Sequence, residues 1–147
     1  ILSEDLFREF VLPCHRRIYE ALSLPGGERS MHLCGDAQRF FPIYQNELGV
    51  RSFDTGFPID FARLYDELSP DTRIFGGPST SLLLEGTPAE IDAEVRRILS
   101  SGVMEKSRAF VLREANSLSP GTPFANVNQM LRTCREAGRY PPGRPSP

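Results

Sequence analysis

His32 and Cys34 stand two residues apart in Met31-His32-Leu33-Cys34-Gly35-Asp36. The stretch reads as a short buried strand ending in a Gly–Asp turn. Alternate residues of a strand share a face, which sets this imidazole and this thiol side by side. Such a pair can hold a metal or poise a thiolate. Three later turns carry further groups. Asp54-Thr55-Gly56 offers a carboxylate that can act as a general acid or base or fix a ligand; its structural alternative is an Asx turn. Gly76-Gly77-Pro78 offers backbone amides to a ligand that approaches closely, or is simply a tight turn. Ala115-Asn116-Ser117 offers an amide.

Other chemistries are excluded or weakened. No Gly-x-Gly-x-x-Gly or Lys-Ser/Thr phosphate loop is present, and no Gly-x-Ser-x-Gly elbow. With two histidines and only His32 well placed, a Ser-His-Asp hydrolase is disfavoured. His15, among Arg16 and Arg17, is assigned to a solvated face, Cys14 beside Pro13 to packing, and Asp36 to capping the following helix. Zinc is usually four-coordinate with at least three protein ligands, and His32 and Cys34 are two. Cys134 would complete the count, but it lies on the last helix, expected to pack outside the sheet.

Strands and helices alternate around these turns. Residues 3–24 read as helix, with Ser3 as N-cap and Pro13 forcing a kink or a second helix. The strand holding His32 follows. Residues 36–48 read as helix, with Pro42 a local misfit and Gly49 its end. Strands are expected at 50–54, 72–75 and 108–113, and short helices at 60–68 and 79–84. Thr87-Pro88-Ala89-Glu90 carries a capping box with Pro at the first helical position, so a helix should run to about residue 101 with Ile91, Val95, Ile98 and Leu99 inward. Thr122-Pro123 should cap a last helix with Phe124, Val127, Met130 and Leu131 as its apolar face. Residues 1–140 form the domain; the Pro-rich residues 141–147 are expected to be extended or disordered. Strands alternating with helices imply a parallel sheet, whose functional groups gather beyond the carboxyl ends of its strands.

Composition narrows the class. The 147 residues suit one domain, and a net charge of −2 gives no electrostatic case for nucleic acid or an anionic membrane. No apolar run approaches the ~20 residues of a membrane span. Three sparse cysteines fit a reducing, cytoplasmic compartment better than a disulfide framework. The first residue is Ile1, so the sequence is expected to begin inside a longer chain.

The order His32-Leu33-Cys34-Gly35-Asp36, Phe53-Asp54, Gly76-Gly77-Pro78, Gly86-Thr87-Pro88-Ala89-Glu90-Ile91 and Pro120-Gly121-Thr122-Pro123-Phe124-Ala125-Asn126-Val127 resembles the uroporphyrinogen decarboxylase superfamily, nearest its corrinoid-dependent methyltransferase branch. The resemblance implies the C-terminal half of a (β/α)8 TIM-type barrel, with four parallel strands alternating with helices. It implies transfer of a methyl group to a thiol or small acceptor, with a corrinoid supplied by a partner protein. The alternatives are a tetrapyrrole decarboxylase-like lyase and a non-catalytic half barrel that self-associates. The resemblance also implies zinc on His32 and Cys34. The family's third ligand, a Cys, falls at Asn116, and the decarboxylase's Gly-His-Gly falls at Ala115-Asn116-Ser117, so both patterns are broken there. Asp54 and Asn116 are the expected catalytic residues, and Gly76 and Gly77 the expected cofactor-binding ones. A missing half barrel or a second copy is the expected protein partner, because open edges and an apolar inner face are association hazards.

Overall fold

The structure is a computed structural model and describes residues 2–104 and 109–139. A short α1 (Glu4–Leu6), capped by the Ser3 hydroxyl, runs through a π-helical segment, Phe7–Val11, into α2 (Leu12–Leu22). Pro13 sits in the first turn of α2, where its missing N–H costs nothing. The same rule removes the expected misfit at Pro42: a 3-10 turn, Gln38–Phe40, comes first, and α3 (Phe41–Leu48) starts beside the proline. Gly49 ends α3 at φ 66°, a conformation glycine adopts without a Cβ penalty.

Strands β1 (Arg29–Leu33), β2 (Val50–Thr55), β3 (Arg73–Gly76) and β4 (Phe110–Leu112) pair in parallel in the order β1-β2-β3-β4. Consecutive order, with no reversal, is that of a β/α barrel rather than a doubly wound sheet. Helices α4 (Phe61–Glu67), α5 (Thr80–Glu85) and α6 (Pro88–Ile98, with its π-helical extension Leu99–Val103) connect the strands, and α7 (Phe124–Ala137) follows β4. The capping box forms as expected, with Thr87 and Glu90 each bonding the other's backbone N–H. The residues after 139 lie outside the description, as does Arg108.

Register assigns the two faces. Met31, Phe53, Ile74 and Phe110 form one row, turned toward the helices; Phe53 stacks on Phe41, and Phe110 meets Phe61 edge-on. Ser30, Ser52 and Arg73 form a row on the opposite face, and His32, Asp54, Phe75 and Val111 form the next. That face was expected to be apolar. It is mostly polar, and Val111 on it is exposed.

Several surface assignments change. His15 is half-buried against Tyr44, its Nδ1 2.6 Å from the hydroxyl, and burial pushes that phenol up to about 12. Cys14 is exposed rather than packed. Asp36 caps nothing; it pairs with Arg39. The Thr122 hydroxyl donates to the Ser119 carbonyl and leaves the start of α7 without a side-chain cap. The buried face of α7 is Asn126, Met130 and Thr133, whereas Phe124 is 76% exposed. Asn126 donates to the carbonyls of Leu83 and Gly86, and Thr133 donates to Asp92, so their burial is satisfied. Removing the Phe53 ring, fully buried in the stack on Phe41, is expected to cost about 3–5 kcal/mol. Phe124→Ala should stay within about 0.5 kcal/mol. Urea midpoints at unchanged slope measure both.

Candidate active site

At the carboxyl end of β1, His32 Nε2 lies 2.7 Å from Cys34 Sγ, just past the strand. Its Nδ1 lies 3.1 Å from Asp54 Oδ2, directly across on β2. A carboxylate only accepts, so Nδ1 carries the proton and Nε2 accepts from the thiol. Arg113, just past β4, places Nη1 3.3 Å from Asp54 Oδ2 and gives Nη2 to Glu114 at 2.8 Å. Its hydrogen bond to Glu114, then the charge of Asp54, raises the Arg113 pKa above the ordinary arginine value. Asn116 Nδ2 donates to Cys34 Sγ at 3.3 Å. The expected residues His32, Cys34, Asp54 and Asn116 therefore meet in one connected line, from three strand ends. Asp54 Oδ1 is buried and has no hydrogen-bond partner among the described residues.

Glycines bring these ends together. The Gly56 N–H donates to the Leu33 carbonyl at 2.8 Å, and a Cβ on Gly56 would lie 2.6 Å from Cys34 Cα. A Cβ on Gly77 would lie 1.9 Å from the Arg113 carbonyl oxygen, and one on Gly76 would strike Thr55 and Phe61. The close approach that Gly76 and Gly77 allow is thus to protein atoms. Backbone bonds from Arg113 to Gly76 and from Ala115 to Pro78 hold the last loop in place. Arg113 was not singled out from the sequence, and Gly56 was read only as part of the turn after Asp54. The signal for Arg113 was alternation: it stands two residues beyond Val111, on the same face. Cys34, Gly56, Phe57, Thr80 and Asn116 line a cleft of about 230 Å³.

The donor set does not make the zinc centre that the resemblance implies. A tetrahedral zinc, about 2.3 Å from sulfur and about 2.0–2.1 Å from nitrogen, holds those two atoms about 3.5 Å apart. Here they are at hydrogen-bonding distance. The third position, Asn116, presents an N–H to the sulfur instead of a lone pair to a metal. Among the described residues no three His, Cys, Asp or Glu side chains are grouped to hold a metal ion.

A parallel sheet in consecutive order, with these side chains gathered at the carboxyl ends of its strands, is the arrangement of part of a β/α barrel. The uroporphyrinogen decarboxylase (URO-D) family matches over residues 1–137, and the chain belongs to that family. It is 31% identical over 138 residues to the methylated-thiol–coenzyme M methyltransferase of Methanosarcina mazei, covering 92% of this chain and 34% of that protein. A solved methyltransferase from Methanosarcina mazei superposes with a TM-score of 0.73 at 19% identity, over 95% of this chain and 39% of that one. The chain spans about a third of the length of the relative.

Exchanging Asn116 for Cys should supply the missing third donor. Metal analysis after gel filtration is expected to find zinc well below one per chain in the parent and a clear rise in Asn116→Cys. Stoichiometric zinc in the parent would contradict this reading of the donor set.

Proposed function

We propose that this chain is the site-bearing part of a methyltransferase barrel that moves a methyl group to a thiol or small acceptor. The observation that carries the reading is the line Cys34–His32–Asp54, opening on a cleft at its Cys34 end. The name of the methanogen relative supports it. Methylation of a thiol releases a proton, and His32 Nε2 is the base at hand, its tautomer set by Asp54. A methylated corrinoid on a partner protein is the proposed donor; it supplies an electrophilic methyl group. The decarboxylase reading has less support. Arg113 is the cation of the site among the described residues, and its guanidinium is bound to Asp54 and Glu114 instead of being free for a substrate carboxylate.

The remainder of the barrel is the proposed protein partner. β1 and β4 are edge strands, and the outer side of α2 exposes Ile18 and Leu22, continued by Leu24. No described helix is long and apolar enough to cross a membrane.

The test follows loss of the methyl–cobalt absorbance of methylcobalamin in the presence of 2-mercaptoethanol. It is run with the chain alone and with the chain mixed with the part of the methanogen relative outside the matched third. Demethylation above buffer is expected, lost in Cys34→Ala and kept in Cys14→Ala. Equal rates in Cys34→Ala and the parent, or no rate in either mixture, would refute the assignment.

A further inference from the structure

We propose that Cys34 is a metal-independent nucleophile that forms a covalent bond with a small electrophile carrying an activated methyl or methylene carbon. This goes beyond methyl transfer and does not require it.

The geometry is that of a nucleophile, a base and an orienting group. The thiol is 2.7 Å from Nε2, and Nδ1 of the same ring is 3.1 Å from Asp54. Arg113 pairs with the same Asp54 Oδ2 that faces the ring, a second tie on that carboxylate oxygen. Asn116 Nδ2 donates to the sulfur at 3.3 Å and gives it a second polar partner beside the ring. Of these residues Cys34 and Asn116 line the cleft, so the sulfur is the end of the line that opens on it.

The step balances without any other reactant. The S–H bond breaks and its proton passes to His32 Nε2. Sulfur forms a bond to carbon. The carbon–leaving-group bond breaks, and the leaving group departs with that electron pair as an anion or a neutral thioether. His32 then gives its proton to water or to the leaving group.

The chain carries its own references. Cys14 is exposed, with its thiol donating to the Phe10 carbonyl, and Cys134 is half-buried, its thiol pushed up by that burial. The experiment treats the full chain with limiting iodoacetamide at neutral pH in the presence of EDTA, and reads the rate at each cysteine by peptide mass spectrometry. Cys34 is expected to react at least about tenfold faster than Cys14, since a positioned base typically contributes about a hundredfold or more. His32→Gln, which can bond the thiol but not take its proton, should bring Cys34 down to the Cys14 rate. Asp54→Asn should lower it part of the way, as a positioning residue does. A slow Cys134 in each variant reports that the fold is intact.

Cys34 reacting no faster than Cys14, or keeping its rate in His32→Gln, would overturn the proposal. So would a fast reaction that appears only when zinc replaces EDTA. Fast alkylation combined with a failed methylcobalamin assay would uphold this inference and refute the methyltransferase reading, so the two fail separately.

Discussion

Between Arg29 and Ser30 the pairing of β1 with β2 slips by one residue, and Arg51 is left without an opposite number. Had the strands run on in the register of Arg29 and Val50, His32 would stand across from Phe53. One strand would then turn its apolar side chains to the face where the other turns its polar ones. The slip resolves that conflict. Phe53 joins Met31 and Ile74 over the helices, and Asp54 arrives beside His32. The core and the site are two results of the same irregularity, and Arg51, exposed at the bulge, absorbs it.

Much of the fold was legible because its signals are local. The Thr87–Glu90 capping box, Gly49 after α3 and the alternation of strands with helices each depend on a few neighbouring residues, and all appear where expected. The failures are instructive because they are tertiary. Asn126 and Thr133 displaced Phe124 and Leu131 from the buried face of α7, since they reach acceptors on α5, α6 and the turn between them. His15 looked solvated beside two arginines, and only the packing of α3 against α2 gives it Tyr44. The site followed the same division. The nearness of His32 and Cys34 comes from strand alternation, whereas Asp54 as partner to Nδ1 depends on a bulge that no local pattern announces.

Asn116 decides how the site differs from what its family resemblance implies. At the place of a third metal ligand it offers a donor, not an acceptor, to the thiol. The same sulfur that a metal would bind is instead bracketed by an imidazole and an amide. Arg113 adds a second layer by holding the carboxylate that holds the ring. The amide, the sulfur, the ring and Asp54 Oδ2 form one hydrogen-bonded line beside the cleft, with Asp54 Oδ1 left unpartnered among the described residues.

Cys34 and Asn116 are 82 residues apart in the chain, and their contact depends on β4, which pairs with β3 over three residues. The strand holding the far side of the site is therefore the one with the fewest ladder bonds, backed by two loop bonds to Gly76 and Pro78. In a structure of uneven stability, such a segment opens before the sheet as a whole does. The environment of the thiol thus registers whether the last strand is docked, and anything that braces the β4 edge would tune the reactivity of Cys34 without touching it.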